Sequence, residues 1–463
     1  MVWTSARSVA IAVSGGLAAC ASAAPPLSLH PANAHYFLFR GKPTVLITSG
    51  EHYGAVLNLD FDTVTYLDEL HRHGLNLTRT FSGMYCEEWG EGWNTLNPAF
   101  GRYLSPWARS DTPGYPDGGN KFDLDRWDEA YFTRLRDFVA EAGKRDIVVE
   151  LALFCVFYGD GQWNLCPLNA QNNVNGIGTA GRGHVYDESD PAMMAVQERM
   201  VRRIAEALRD YDNVYFELCN EPYFDGPALG SPWNDRMIGV IKGTGDQHLL
   251  ALNVSNGSQQ VDRMHEGLSI LNFHYCAPPD AVGMNWRHNV AISYDESGFA
   301  GNGGDVYRRH AWDFILAGGA VFSNLDYSFT VDSPQGGSTA ADDNLGSTDP
   351  SLRLQLGHLK RFIEGFQFVR MEPDNEVIRG GVPEGATARA LAEPGRQYAV
   401  YVNGGEQADL QLELPAGTYR AEWWDTKAAT VLQGETLEHG GGVATLRSPR
   451  YEGDVALGVR GRE

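Results

Sequence analysis

Two glutamates stand where apolar stretches of the sequence end. Residues 213–222 read Asn-Val-Tyr-Phe-Glu-Leu-Cys-Asn-Glu-Pro, with Glu221 next to the final proline. Glu296 lies near the end of a second stretch that begins at residue 291. A carboxylic acid at the carboxyl end of a buried strand, before a proline that ends it, is where α/β barrels place their reactive groups. Asp295 competes with Glu296, but side chains alternate along a strand, so the two acids are predicted to face opposite ways. The sequence therefore favours Glu221 and Glu296 as a chemical pair.

Eight β-rich apolar runs alternate with helical periodicity between about residues 45 and 366. Several are unbroken hydrophobic stretches, as expected of parallel strands buried on both faces. The first run is not followed by a glycine-rich phosphate loop, which argues against an open doubly wound sheet. We predict a (β/α)8 barrel of the α/β class, with strands at 45–49, 75–81, 147–154, 214–219, 249–254, 270–275, 291–295 and 321–327. Helices are predicted at 62–74, 125–143, 191–211, 305–318 and 350–366, with no clear helix after strand six.

The sequence changes character after about Arg370. Short alternating runs at 398–402, 410–414 and 419–424 are separated by glycine-rich turns, and the helical period disappears. This pattern is typical of a small antiparallel β-sandwich. The predicted domains are therefore a barrel at 30–368 and a sandwich at 370–463.

The amino terminus reads as an export signal. Its apolar run, residues 9–19, is too short to span a bilayer and suits a signal peptide. Two processing routes stay open. Residues 17–20 resemble a bacterial lipobox, in which a lipidated Cys20 would attach the protein to a membrane. Residues 21–23 instead resemble an ordinary A-x-A site, which would give a signal peptide of residues 1–23. Both routes predict an exported protein that is periplasmic, an outer-membrane lipoprotein or secreted.

The five cysteines that follow the signal are an odd number, so they cannot all pair with one another. Cys155 and Cys166 flank a loop, and a disulfide between them is one reading. Cys219 lies in an apolar strand and is expected to be a small buried hydrophobe. No C-x-x-C spacing occurs, and the sequence predicts neither a metal site nor a cofactor.

The resemblance to a known family rests on strands four and seven. The ending Asn220-Glu221-Pro222 resembles strand four of the clan A retaining glycoside hydrolases, the superfamily that includes family 5. The run through Glu296 to Gly298 is similar to strand seven, where the nucleophilic glutamate is followed two residues later by glycine. The resemblance implies that Glu221 is the general acid/base and Glu296 the nucleophile of a double displacement on an oligo- or polysaccharide. A non-catalytic carbohydrate-binding barrel and a transglycosylase are the alternatives.

The same resemblance assigns further substrate-binding positions. Arg79, at the end of Asn-Leu-Thr-Arg on strand two, would bond the nucleophile, and Asn220 would bond the sugar 2-hydroxyl. Strand six ends with His274 and Tyr275, a place from which the family touches the nucleophile or the substrate. Tyr294, beside the acids of strand seven, is a second candidate for that role. The carboxyl-terminal sandwich resembles the domain, labelled a collagen-binding module, that follows many glycosidase barrels.

Several aromatic and polar residues are predicted at the mouth of the barrel. Glu51 and His52 follow strand one and are expected to contact substrate. Strand eight carries Asp326 or Tyr327 where many family 5 enzymes have a tryptophan under the sugar, so a plain cellulase is not indicated.

Two long insertions, at 82–120 and 155–190, are rich in asparagine and aromatic residues. Rings can stack on sugar faces and amides can bond hydroxyls. Trp163, in the second insertion, and Trp286, after strand six, are predicted to be sugar platforms.

The charge of the chain limits its partners. The formal net charge is −22, from 37 basic and 59 acidic residues, and an acidic surface repels nucleic-acid phosphates. No nucleic-acid or protein partner is predicted, whereas a neutral carbohydrate substrate is compatible with this charge. Hydrophobic and aromatic contents of 43% and 11% indicate a well-packed globular protein.

Overall fold

The eight apolar runs form one parallel sheet that curls into a barrel. A computed structural model describes residues 25–89, 93–340 and 344–462. The hydrogen-bonded order runs from strand two through strand eight to strand one, which confirms the predicted (β/α)8 fold. Across the seam between strands one and two, the Asn76 side chain accepts from the Ile47 amide (2.9 Å) and donates to the Val45 carbonyl (2.8 Å). Strands one to eight are Leu46–Gly50, Leu77–Phe81, Val148–Cys155, Val214–Asn220, Leu250–Asn256, Ile270–His274, Ala291–Ser297 and Val321–Leu325.

Helices cover the outside of the barrel, and side-chain caps fix where several begin. Asp62 caps the helix Thr63–Arg72 by accepting from two amides, and Asp190 caps the helix Pro191–Leu208 in the same way. The helix predicted from residue 125 begins later, because Asn120–Trp127 is a strand and Asp128 caps the helix Glu129–Gly143. A short helix does follow strand six, contrary to prediction. Helices α1 to α8 are Thr63–Arg72, Glu129–Gly143, Asp160–Leu165, Pro191–Leu208, Pro232–Gly243, Asp280–Asn285, Gly304–Leu316 and Ser351–Glu364. Single 3-10 turns are Arg182–His184, Trp286–His288, Phe368–Arg370 and Asn375–Val377.

Two small antiparallel sheets are added to the barrel, one before its first strand and one within the first insertion. A three-stranded antiparallel sheet at the amino-terminal end of the barrel consists of Ser28–His30, Asn33–Phe39 and Lys42–Thr44. The first insertion contains a ribbon of Trp107–Pro113 paired with Asn120–Trp127. Among the described residues, no helix combines the length and apolar character needed to cross a membrane. The predicted signal peptide and Cys20 lie outside the described residues.

The carboxyl-terminal region is a two-sheet antiparallel sandwich, as predicted. In the larger sheet, Asp454–Gly461 lies between Gln397–Asn403 and Gly417–Trp424, so a late strand occupies the middle. The larger sheet runs in the order Glu372–Pro373, Thr387–Glu393, Gln397–Asn403, Asp454–Gly461, Gly417–Trp424 and Val431–His439. The smaller sheet runs in the order Ile378–Gly380, Asp409–Leu414 and Gly442–Arg447.

A buried polar cluster joins the sandwich to α7. Arg308 on α7 and Asp454 on the central sandwich strand form an ion pair whose side chains are both fully buried. The same Asp454 oxygen accepts from Thr426 (2.8 Å) and Tyr401 (3.0 Å). Apolar side chains of the sandwich, including Tyr401, also belong to the same core cluster as the barrel. The two domains therefore share one continuous interior.

The cysteines do not form the disulfide that was considered. Cys86, Cys155, Cys166, Cys219 and Cys276 are all free and buried. The Cys166 thiol points to the Met84 carbonyl at 3.4 Å, and Cys155 lies against Asn220 at 3.5 Å. The two sulfurs thus face different neighbours although their residues flank one loop.

We predict that Asp454→Ala lowers the free energy of unfolding by about 3 kcal/mol, because the buried Arg308 guanidinium loses its buried charge partner and keeps only the exposed Asp305 at 3.2 Å. Denaturant unfolding followed by fluorescence measures this. The matched control is Asp409→Ala, which removes an exposed partner of Arg447 at 3.7 Å and should cost at most about 1 kcal/mol. Equal effects of the two changes would contradict a structural role for the buried pair.

Candidate active site

Glu221 and Glu296 meet in one cavity at the carboxyl end of the barrel strands. Strand four ends one residue before Glu221, and strand seven contains Glu296 near its end. One oxygen from each carboxylate and a ring nitrogen of His274 all lie within 4.8 Å of one another. The cavity has a volume of about 610 Å³. Its lining residues are His52, Phe81, Tyr85, Glu87, Trp93, Asn94, Cys155, Tyr158, Gln162, Asn220, Glu221, Phe224, Asn256, Tyr275, Glu296, Gly298, Phe299, Leu325 and Tyr327.

Arg79 on strand two binds groups from strands four and seven. Its guanidinium is completely buried and donates to Glu296 Oε2 at 2.9 Å and to Glu217 Oε2 at 2.6 Å. It also donates to Asn220 Oδ1 at 2.6 Å. A buried guanidinium without such partners would strongly destabilise the folded state. These contacts therefore fix the ends of strands two, four and seven relative to one another. Arg79 lies beneath the cavity rather than in its wall.

Glu296 is held in its ionised form. Burial by itself would raise the pKa of this carboxyl, but the positive charges of His274 and Arg79 lower the pKa to about 2. The Tyr275 hydroxyl donates to the other oxygen of Glu296 and lowers the pKa further. Burial would lower the pKa of His274, but the carboxylates of Glu296 and Asp295 raise the pKa well above its usual value.

Glu221 is surrounded by different donors. The hydroxyl of Tyr223 donates to one oxygen at 3.0 Å, and the hydroxyl of Tyr158 donates to the other. His274 Nδ1 lies 3.2 Å from the first oxygen. The backbone at Glu221 is left-handed, with φ of 47°, a conformation that costs free energy in a residue other than glycine. This left-handed conformation turns the Glu221 side chain away from the direction of the strand and into the cavity.

Asp295 and Glu296 both face the barrel interior, contrary to the alternation predicted from the sequence. Phe273 pairs with Tyr294 and His274 pairs with Glu296, so the ladder between strands six and seven skips Asp295. Such an irregularity interrupts the alternation of side chains. Asp295 is fully buried below the cavity, where it accepts from Asn272 at 2.9 Å. Glu296 alone of the two lines the cavity.

Within residues 25–89, 93–340 and 344–462, two groups of side chains have the composition of metal ligands. They are Glu217, His274 and Asp295, and Glu221, His274 and Glu296. Arg79 already contacts Glu217 and Glu296, and a protonated His274 has no lone pair to offer a metal ion. We therefore interpret both groups as a hydrogen-bonded ion network.

The sequence matches a known family over the region that builds this site. Residues 65–305 match Cellulase (glycosyl hydrolase family 5), which is more than half of the chain. The chain belongs to glycosyl hydrolase family 5. No curated protein matches the sequence.

Solved structures with the same fold are distant in sequence. A family 5 glycoside hydrolase from Bacteroides vulgatus ATCC 8482 is 14% identical with a TM-score of 0.64, and the match covers 94% of each chain. A second protein from that organism, whose assignment as a glycoside hydrolase is provisional, is 14% identical with a TM-score of 0.68, covering 96% of this chain and 83% of the other. A family 5 mannosidase from Rhizomucor miehei is 10% identical with a TM-score of 0.51, covering 74% and 99%.

Four of the predicted substrate contacts line the cavity of this family 5 enzyme. They are His52, Asn220, Tyr275 and Tyr327. Burial lowers the pKa of His52 to about 4, so its ring is neutral at ordinary pH. Tyr327 turns its hydroxyl to the Trp93 carbonyl at 2.8 Å and presents its ring to the cavity. His274 and Arg79 lie beneath them.

Two predicted contacts from strands one and seven are wrong. The Glu51 carboxylate accepts from the amides of Tyr53, Gly54 and Ala55 at 2.8–2.9 Å, so it stabilises a turn. Burial raises the pKa of Glu51 to about 7. Tyr294 points outward from the barrel, where its ring lies 5.5 Å from that of Phe314 on α7.

The two predicted tryptophan platforms are also wrong. Trp163 on α3 is 6% exposed and packs its ring against Phe157 inside the second insertion. Trp286 stacks on His35 at 3.5 Å, and His35 in turn bonds the Val290 carbonyl just before strand seven. Trp286 therefore lies at the amino-terminal end of the barrel, opposite the cavity.

The aromatic residues at the mouth of the cavity are others. Trp93, Phe224 and Phe299 line it and remain 50%, 53% and 47% exposed. Phe224 and Phe299 each follow a catalytic-strand glutamate by three residues, a spacing that places them on the loops at the mouth. That position is the signal by which sequence reasoning could have found them. Tyr223 carries the same signal, because it follows Glu221 by two residues, whereas Tyr158 lies in the second insertion and carries none.

We predict that Tyr275→Phe raises the pKa of Glu296 by about one unit, because it removes a hydrogen bond to the charged form. Infrared titration between pH 2 and 5 measures this, with Glu296→Gln in the same background identifying the band. Tyr327→Phe is the matched control, since its hydroxyl bonds a backbone carbonyl. An unmoved midpoint in Tyr275→Phe would show that the hydroxyl does not stabilise the ionised carboxylate.

Proposed function

We propose that this enzyme is a retaining glycoside hydrolase that cleaves O-glycosidic bonds through a covalent glycosyl-enzyme. The observation that carries the proposal is the close approach of Glu221 and Glu296, whose nearest oxygens lie within 4.8 Å. Retaining glycosidases separate their carboxyl groups by about 5–5.5 Å, whereas inverting enzymes need about 6.5–9.5 Å to admit a water molecule. The spacing here supports the retaining reaction.

Glu296 is suited to be the nucleophile. It lines the cavity, and His274 and Arg79 keep it ionised at any ordinary pH. Its second oxygen is bonded by Tyr275, so the carboxylate has a fixed orientation. In the first step an oxygen of Glu296 bonds the anomeric carbon while the bond from that carbon to the leaving oxygen breaks.

Glu221 is suited to be the acid and then the base. It gives its proton to the leaving oxygen in the first step and takes a proton from water in the second. Ester formation occupies the Glu296 carboxylate, so Glu221 is the carboxylate left beside the anomeric carbon to take a proton from water. Water then bonds the anomeric carbon and releases Glu296. Tyr158 and Tyr223 position Glu221 for both steps.

Asn220 and Arg79 are suited to support the sugar in the transition state. The Asn220 side chain lines the cavity, and its oxygen is bound by Arg79, so its amide group is fixed. A hydrogen bond from this position to the 2-hydroxyl would strengthen as charge develops on the ring.

Glu296→Ala should remove hydrolysis, approaching the ~10⁶-fold loss seen when an enzymatic nucleophile is deleted. Sugar binding should remain, because loops and aromatic side chains hold the substrate. Azide should restore turnover and give a glycosyl azide of inverted configuration, which NMR of the product identifies. Glu266→Ala, at an exposed glutamate, is the control. Full activity in Glu296→Ala would exclude the double displacement proposed here.

Glu221→Ala should affect substrates according to their leaving groups. Departure of a glycosidic alcohol needs a proton, so natural linkages should be cleaved about 10²–10⁴-fold more slowly. The dinitrophenolate of a dinitrophenyl glycoside leaves without protonation. The rate of the first step should therefore fall far less for these substrates. Steady-state and burst kinetics on both substrate types measure the difference. An equal loss for both would show that Glu221 positions the sugar and that another group supplies the proton.

A further inference from the structure

The two oxygens of Glu221 meet two tyrosine hydroxyls whose surroundings differ. Tyr158 donates to Oε2, and the Tyr223 hydroxyl lies 3.0 Å from Oε1. The Tyr158 hydroxyl also accepts from Asn220 Nδ2 at 3.0 Å. The Asn220 amide has a fixed orientation, because its oxygen accepts from Arg79 at 2.6 Å. The hydrogen of Tyr158 is therefore directed to Oε2 at all times.

This fixed side favours one oxygen of Glu221 as the carrier of its proton. Since Oε2 accepts from Tyr158, the proton of a neutral Glu221 is better placed on Oε1. The neighbours of Oε1 are the Tyr223 hydroxyl at 3.0 Å and His274 Nδ1 at 3.2 Å. A protonated His274 can only donate. The Tyr223 oxygen is therefore the neighbour that accepts from Oε1 while no substrate is bound.

The Tyr223 hydroxyl has one hydrogen and two acceptors within reach. Besides Glu221 Oε1, it contacts Oδ1 of Asn256, the last residue of strand five. A hydroxyl can donate its hydrogen to only one of them at a time. When Glu221 is neutral, its own proton faces the Tyr223 oxygen, so the Tyr223 hydrogen goes to Asn256. When Glu221 is ionised, the bond to its charged oxygen is the stronger one, so the Tyr223 hydrogen goes to Glu221.

Asn256 can complete both arrangements, because a side-chain amide has an acceptor at one end and donors at the other. Its Oδ1 accepts from Tyr223 in the first arrangement. After a half-turn of the amide, its Nδ2 donates to the Tyr223 oxygen in the second. Among the described residues, the Asn256 side chain has no other hydrogen-bond partner, and it lies exposed in the cavity wall. The half-turn therefore breaks no further contact.

The other ionisable groups around Glu221 keep their hydrogen bonds in both arrangements. His274 donates to Oε1, and Arg79 acts from behind Asn220. The remaining groups come from strands three, six and seven and from the second insertion, and they are Cys155, Tyr275, Glu296 and Tyr158. Burial raises the pKa of Cys155 and Tyr275 well above their usual values, so both stay neutral. Within the described part of the chain, Tyr223 is the neighbour of Glu221 whose hydrogen can change its acceptor.

We propose that Tyr223 and Asn256 form a hydrogen-bond switch that follows the protonation state of Glu221, and that Asn256 is a positioning residue that acts through Tyr223. The inference deepens the proposed function and rests on it for the role of Glu221 as acid and base.

The switch accompanies both steps of the reaction. In the first step the hydrogen on Oε1 passes to the leaving oxygen, while Tyr223 keeps its own hydrogen on Asn256 and does not compete. Once Glu221 is ionised, Tyr223 turns its hydrogen to Oε1 and Asn256 donates to Tyr223. In the second step a proton from water returns to Oε1, and both groups turn back. Neither Tyr223 nor Asn256 gains or loses a proton.

Two substitutions at Asn256 should move the pH dependence of the enzyme in opposite directions. The alkaline limit of kcat/KM marks the pH above which Glu221 has lost the proton that the leaving oxygen needs. Asn256→Asp leaves an acceptor that cannot become a donor, so it retains the Tyr223 hydrogen and the ionised Glu221 loses a hydrogen bond. The limit should rise by about one pH unit. Asn256→Leu leaves Tyr223 with Glu221 as its acceptor, which favours the ionised form, and the limit should fall by about 0.5–1 unit.

Aryl glycosides that differ in their leaving groups provide the measurement. Phenyl β-glucoside, β-mannoside and β-galactoside are tested first, because phenol is a poor leaving group that needs a proton, and the sugar cleaved fastest is then used for every variant. The 2,4-dinitrophenyl glycoside of that sugar is the internal control, since its departure needs no proton and its pH profile should not follow the substitutions. Gln259→Leu, at an exposed residue outside the cavity lining, is the matched control variant. Circular dichroism checks that each protein is folded.

The same substitutions in a Tyr223→Phe protein separate the switch from a simple effect of charge. Without the Tyr223 hydroxyl, Asn256→Leu should no longer move the alkaline limit. Asn256→Asp should keep only the part of its shift that the introduced charge causes through space, less than half of the original shift.

The inference is overturned if the two substitutions move the alkaline limit in the same direction, if Asn256→Leu does not move it, or if the shift caused by Asn256→Leu persists in the Tyr223→Phe protein. In each of these cases the unsubstituted enzyme would still cleave its glycoside with retention of configuration. Cleavage with inversion, or no cleavage of any phenyl or dinitrophenyl glycoside, would instead overturn the proposed function and the inference together.

Discussion

The buried guanidinium of Arg79 is the interaction on which the rest of the site depends. It lies in the barrel interior with no exposure, so its charge must be neutralised by groups that the fold brings from other strands. Strand four supplies Glu217 and Asn220, and strand seven supplies Glu296. The contacts that neutralise the buried arginine also keep Glu296 ionised and orient Asn220. One set of hydrogen bonds therefore stabilises the fold and prepares the catalytic groups.

The network also explains why the interior can hold so many acids. Glu217 and Asp295 are fully buried below the cavity, and Arg79 and a protonated His274 are the cations that face them. Removing either cation would leave charges that cannot reach water. The register of the barrel is therefore specified by polar contacts in its interior as well as by the apolar shell outside the strands.

Much of this arrangement could be predicted from the sequence. Long apolar runs predicted the eight strands to within about two residues, because strands of a parallel sheet are buried on both faces and read as continuous hydrophobic stretches of strand length. The pairing of Glu221 with Glu296 followed from their places at strand ends. The orientation of Asp295 could not be predicted, since alternation assumes a regular ladder and the skipped residue between strands six and seven is a property of the paired sheet. Glu51 was misplaced because its partners are amides of a turn that forms only in the folded chain.

Aromatic residues were the weakest part of the prediction. Trp163 and Trp286 were expected to be sugar platforms, yet Trp163 packs in the interior and the partly buried Trp286 stacks on His35 at the other end of the barrel. Whether a ring faces a core or a cavity depends on the path of a long loop, and composition does not encode that path. Tyr158, which reaches Glu221 from the second insertion, was missed for the same reason.

The central place of Asp454–Gly461 in the larger sandwich sheet has a consequence for how the chain is made. Its two neighbours, Gln397–Asn403 and Gly417–Trp424, have no hydrogen-bonded strand between them until residues 454–461 have been synthesised. At typical rates of ribosomal synthesis, the edge of Gln397–Asn403 that pairs with this strand remains unpaired for roughly 3–10 seconds. The Arg308 side chain on α7 precedes Asp454 by 146 residues, so at the same speed it lacks this partner for longer, roughly 7–30 seconds. The nascent barrel must therefore persist with an unpaired strand edge on one side during this interval.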